Sequence, residues 1–93
     1  MKEPMVSKQM KSLDARQQLL VITMEECGEL VQACSKVYRH NGGKQEIKCL
    51  SEEVGDVQAM INLLQAEGII DLNVANEKRI ARETKMRLQH ESR

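Results

Sequence analysis

Between Asp14 and Tyr38 the chain returns to an apolar residue every three or four positions, at Leu20, Met24, Cys27, Leu30, Val31, Cys34, Val37 and Tyr38. That is the period of one face of an α-helix, and it predicts a first long helix over residues 14–41. Asp14 followed by Gln17 has the form of a capping box at its start, and Asn41-Gly42-Gly43 supplies the left-handed conformations that end helices. A second stripe, Ile47, Leu50, Val54, Val57, Ile61 and Leu64, predicts a helix over 44–67 that stops at Gly68. Ser51, followed by Glu52 and Glu53, offers an N-cap that would split this segment. Asp71 can cap a third helix over 71–90, whose apolar face of Leu72, Ala75, Ile80 and Leu88 is thinner and more solvated. Residues 1–12, with Met5, Val6 and Met10 beyond Pro4, suit an N-terminal arm or a short helix.

Composition narrows the fold. Tyr38 is the only aromatic residue and there is no Trp or Phe, which excludes an all-β sandwich or barrel. Ninety-three residues make one domain. Helices of about 25 residues are slender rods roughly 37 Å long, and three of them enclose little interior. Met60 and Leu63 widen the second stripe, and Leu19 and Ile22 lie outside the first, so both helices carry more apolar face than one partner covers. The expected architecture is all-α, with long antiparallel helices in a four-helix-type bundle completed by oligomerisation as a homodimer or homotetramer.

Fourteen basic and fourteen acidic residues cancel, so no overall field favours nucleic acid or an anionic membrane. Cys27, Cys34 and Cys49 form no Cys-x-x-Cys pair, which argues against a disulfide framework or structural zinc and fits a reducing cytoplasm. The first twenty residues hold no continuous apolar run, so neither a signal peptide nor a membrane span is expected.

The chemistry lies in a repeated acidic pattern. Glu25-Glu26-Cys27-Gly28-Glu29 and Glu52-Glu53-Val54-Gly55-Asp56 both read Glu-Glu-apolar-Gly-acid. In each, two acids three apart (Glu26 with Glu29, Glu53 with Asp56) share a helix face about a turn apart and can hold one ion. Each pair precedes the apolar stripe by one residue, about 100° of rotation, so the four carboxylates are expected along the border of an antiparallel helix pair. None has a Lys or Arg at i+4, where Leu30, Ala33, Val57 and Met60 stand instead. Two carboxylates about 5 Å apart repel by roughly 3 kcal/mol at an effective dielectric near 20. A divalent cation relieves that cost, and an all-oxygen donor set selects Mg2+, with Mn2+ as the alternative. Gly28 and Gly55 are costly inside helices, and close backbone approach would explain them.

Glu26-x-x-Glu29, twenty-three further residues and then Glu53-x-x-Asp56 resemble the signature of the MazG-like all-α nucleoside triphosphate pyrophosphohydrolases, relatives of the dimeric dUTPases and dCTP pyrophosphatases. Gly28-Glu29-Leu30 and the run from Asp56 through Ile61-Asn62-Leu63-Leu64 to Gly68-Ile69-Ile70-Asp71-Leu72 extend the likeness, which covers roughly residues 17–88. The resemblance implies a magnesium-dependent enzyme that cleaves a nucleoside triphosphate between its α and β phosphates, giving the monophosphate and pyrophosphate. It makes Glu26, Glu29, Glu53 and Asp56 the metal ligands. Glu25 or Glu52 would then orient or deprotonate the water.

Lys78, Arg82 and Lys85 fall at i, i+4 and i+7 on the third helix and are candidates to meet substrate phosphates, as is Lys36, one heptad beyond Glu29. Glu77 and Glu83 offer those bases an alternative as a solvated charged face. Cys27 and Cys34, on the apolar stripe, read as core thiols rather than nucleophiles. Neither His40 nor His90 follows an acid by three, so the Glu-x-x-His ligation of di-iron bundles is missing. Tyr38 is the one aromatic available to stack on a base, where the related dCTP pyrophosphatases carry tryptophan. The competing reading is a non-catalytic helical interaction or regulatory module, which ought to pair its acids with lysines at i+4.

Overall fold

The computed structural model describes residues 14–91, and the arm or short helix expected over 1–12 lies outside the described residues. It is all-helical among those residues. Helix α1 spans Ala15–Arg39, α2 spans Lys44–Ala66 and α3 spans Leu72–Glu91.

Local chemistry accounts for each boundary. Asp14 and Gln17 form the reciprocal capping box, with the Gln17 N–H donating to Asp14 Oδ1 at 2.8 Å and the Asp14 N–H to Gln17 Oε1 at 3.1 Å. At the other end of α1, Asn41 (φ 55°) and Gly42 (φ 68°) turn left-handed, and the Gly42 N–H reaches back to the Val37 carbonyl at 2.9 Å. Gly43 then starts α2 with no side-chain cap. Ser51 does not split this helix, because its hydroxyl donates to the Ile47 carbonyl one turn back, at 2.8 Å. Gly68 (φ 72°) ends α2, and Asp71 Oδ1 accepts from the N–H groups of Asn73 and Val74 to open α3.

Helices α1 and α2 pack as an antiparallel hairpin, while α3 makes at most marginal contact with either. The inward face of α1 is not the stripe expected from the sequence. Ala33 is buried, and Leu19, Ile22, Glu26, Leu30 and Val37 are half-buried beside it, whereas Leu20, Met24, Cys27, Val31, Cys34 and Tyr38 are exposed. The helix is rotated by about one residue, roughly 100°, from the sequence expectation. On α2 the inward positions are Leu50, Glu53, Val57, Met60 and Leu64, leaving Ile47, Val54 and Ile61 exposed. The buried core of the described chain is therefore only Ala33, Met60 and Leu64. Every residue of α3 is exposed. The molecule is flattened, 50 × 34 × 14 Å, with a radius of gyration of 16.1 Å where a compact chain of this length has about 12 Å.

Candidate metal centre

The rotation of α1 carries Glu26 further inward than a border position, whereas Asp56 on α2 stays exposed at the border. Glu26 and Glu53 stand in the middle of the two inward faces, each half-buried, and point across the hairpin towards one another. Oxygen atoms of Glu26, Glu53 and Asp56 come within 4.8 Å of one another, and oxygen atoms of Glu25, Glu26 and Glu29 do the same. Glu26 belongs to both groups and joins them. One carboxylate oxygen of each of Glu26, Glu29 and Glu53 is shielded from solvent, and that of Glu53 has no hydrogen-bond partner among the described residues.

Helical geometry explains the convergence. Glu29 lies three residues after Glu26 and Asp56 three after Glu53, so each is rotated by about 60° from the hairpin interior. Because the helices run antiparallel, both rotations lead to the same side of the hairpin. Glu25 and Glu52 point to that side as well. The acids thus form a two-helix cluster in which Glu25, Glu26, Glu29 and Glu53 are half-buried while Asp56 and Glu52 are exposed on one face of the molecule.

The donors suit a hard divalent cation. They are all carboxylate oxygens from two rigid helices, and a shielded oxygen without a donor is costly unless a cation or proton serves it. The Thr23 hydroxyl donates to the Leu19 carbonyl one turn back, at 2.7 Å.

The other expected site residues are dispersed. Glu25 is within the cluster, but Glu52 is exposed and belongs to neither acidic group. Lys36 is exposed on the acidic side of α1, about 10 Å along the helix from Glu29. Lys78, Arg82 and Lys85 are on α3, which does not pack on the hairpin, so a single chain does not bring them to the acids. On that helix Arg79 and Glu83 form an ion pair at 3.1 Å. Tyr38 is 86% exposed, about 18 Å along α1 from Glu26, and does not reach the cluster. Cys27 and Cys34 are exposed rather than core thiols. Nothing lies within 4 Å of a Cβ built on Gly28 or Gly55, so close approach within the chain does not explain either glycine.

The inward faces of the two helices were the feature that the sequence stripes concealed. Leu19, Ile22, Glu26, Leu30, Ala33 and Val37 also recur at threes and fours, and Leu50, Glu53, Val57, Met60 and Leu64 do likewise. The signal was a glutamate occupying a step of each otherwise apolar series.

No known protein family matches the chain, and neither a curated protein nor a solved structure is detectably similar to it.

Proposed function

We propose that the chain is a magnesium-dependent nucleoside triphosphate pyrophosphohydrolase that releases a nucleoside monophosphate and pyrophosphate. The observation that carries this reading is the meeting of Glu26, from α1, with Glu53 and Asp56, from α2, within 4.8 Å. It rests on these residues and on their resemblance to the MazG-like pattern, not on detectable similarity to a characterised protein.

In this reading Glu26, Glu29, Glu53 and Asp56 hold one or more Mg2+ ions, with Mn2+ able to substitute. The metal supplies neutralisation of phosphate charge and a lowered pKa for a bound water. Glu25, half-buried beside Glu26 and Glu29, is better placed than exposed Glu52 to accept the proton of the attacking water. Lys36 shares the open acidic face and receives the outer phosphates. Lys78, Arg82 and Lys85 serve the same purpose only after α3 has been brought over an acidic face, which the proposed homodimer or homotetramer allows between subunits. The enzyme acts in cytoplasmic nucleotide-pool control, without nucleic acid or membrane partners. Among the described residues no helix is long and apolar enough to cross a membrane.

The test is a panel of canonical and modified nucleoside triphosphates, incubated with Mg2+ and assayed separately for pyrophosphate and for orthophosphate. Pyrophosphate with the matching monophosphate is expected from at least one substrate, abolished by chelator. Release of orthophosphate alone, or no turnover across the panel with either Mg2+ or Mn2+, contradicts the proposal.

A further inference from the structure

The turn between α1 and α2 carries chemistry that the proposed hydrolysis does not use. Asn41 is followed by Gly42, the one such step among the chain's four asparagines, since Asn62, Asn73 and Asn76 precede Leu63, Val74 and Glu77. A glycine after asparagine leaves the next backbone nitrogen unshielded and the chain free to rotate, which a Leu, Val or Glu in its place does not. That nitrogen can then reach the asparagine's own side-chain carbonyl carbon.

In the folded turn the nitrogen is engaged. Asn41 (φ 55°) and Gly42 (φ 68°) are both left-handed, and the Gly42 N–H donates to the Val37 carbonyl at 2.9 Å, closing the last turn of α1. Attack on the Asn41 side chain requires this nitrogen to give up its proton and to swing from the Val37 carbonyl to Asn41 Cγ, so the cap has to break and the Asn41–Gly42 peptide has to rotate. Asn41 itself is exposed, and solvent reaches its amide. The gate is therefore the opening of one helix turn, a smaller event than unfolding of the hairpin.

Charge favours the reaction once the cap opens. Residues 36–48 hold Lys36, Arg39, Lys44 and Lys48 against Glu46 as the one acid, in a chain whose bases and acids cancel. Positive surroundings lower the cost of the nitrogen anion and of the oxyanion that follows it. They also receive the product. A carboxylate at position 41 stands two residues before Gly43, where α2 starts with no side-chain cap and its first N–H groups favour negative charge.

We propose that Asn41 is a site of spontaneous deamidation gated by the cap of α1. When the Gly42 N–H leaves the Val37 carbonyl, its nitrogen loses the proton to solvent base and bonds to Asn41 Cγ. The Cγ–Nδ2 bond breaks and ammonia departs with a proton returned from solvent, leaving a five-membered succinimide. Water then opens the ring. Cleavage at Cγ gives aspartate, and cleavage at the main-chain carbonyl gives isoaspartate, which lengthens by one atom the backbone of the turn that joins the two acid-bearing helices. The proposal is independent of the pyrophosphohydrolase reading, because none of its acids takes part.

The test incubates the native protein, and the protein in guanidinium chloride, at the same mildly alkaline pH. Mass spectrometry follows each asparagine-containing peptide, and enzymatic isoaspartyl methylation counts the isoaspartate. Conversion is expected at Asn41 ahead of Asn62, Asn73 and Asn76 in the denatured chain, with isoaspartate among the products, and at a rate at least about 10-fold lower in the native protein. Val37→Gly, which loosens the last turn of α1 and keeps Asn41-Gly42, should raise the native rate several-fold. Asn41→Gly, which suits the left-handed backbone there, should abolish the signal without loss of helix. Equal rates in native and denatured protein overturn the gate, as does a native rate unchanged by Val37→Gly in a folded variant. No conversion at Asn41 in the denatured chain, or earlier conversion at another asparagine, overturns the site itself. Should Val37→Gly unfold, the ratio of native to denatured rates still decides.

Discussion

Glu53 stands where an apolar residue would stabilise the hairpin, between Leu50 and Val57 on the inward face of α2 and opposite Glu26. A carboxylate in that position costs stability in the metal-free protein, and under the proposed function a bound cation offsets that cost. Replacing Glu53 with Gln keeps the shape, removes one charge from the cluster and leaves the metal with fewer donors. Each close carboxylate pair costs up to about 3 kcal/mol before solvent screening of these half-buried groups, so a net gain near 1 kcal/mol is the reasonable expectation without metal. In a domain this small that corresponds to a melting temperature higher by about 4–8 °C. Turnover should fall by at least about 100-fold in the same variant, and Asp56→Asn should behave alike. Scanning calorimetry in chelator beside the pyrophosphate assay checks both halves, and marked unfolding of both variants would mean structural acids instead. Leu64 supplies the contrast. It is 6% exposed in a core of three residues, so Leu64→Ala should cost about 2–4 kcal/mol in denaturant titration and leave the metal donors in place.

At the scale of elements, local signals and face assignment were unequally legible. Asp14 with Gln17, Asn41-Gly42, Gly68 and Asp71 act through backbone hydrogen bonds within a few residues of themselves, so their roles could be read from the chain. Which stripe of α1 turns inward could not. That helix carries two apolar stripes one residue apart, and a periodicity of threes and fours fits both. The stripe with Cys27 and Val31 is the more uniformly apolar, yet the hairpin buries the one interrupted by Glu26. The acidic positions were therefore legible as a motif, whereas their depth depended on a rotation that only packing fixes. Helix α3 is the opposite case, well signalled by its cap and without packing to hold it. Its stability within the described chain rests on that cap and on i,i+4 pairing such as Arg79 with Glu83. Asp71→Ala should therefore cost about 1 kcal/mol locally and raise the amide exchange rates of α3 several-fold, while those in the middle of α1 and α2 stay as they were. Equal acceleration in all three helices would show that α3 is part of one cooperative core.

The described residues combine a very small core, an acidic cluster half-buried between two helices and an apolar face turned away from it. A cation held by both helices would cross-link the hairpin at its middle and add to stability by mass action, about 1.4 kcal/mol at ten times the dissociation constant. Melting temperature should accordingly rise with Mg2+ or Mn2+ and return to its starting value with chelator. In the proposed enzyme α1 and α2 contribute to a single metal centre, which calorimetric titration of Mn2+ into the native protein, Glu26→Gln and Glu53→Gln would reveal. Saturable binding to the native protein, weakened at least about 10-fold by either substitution although they lie on different helices, is the predicted result. Absence of saturable binding, or loss of it through one helix's glutamate with no effect from the other's, would contradict the account.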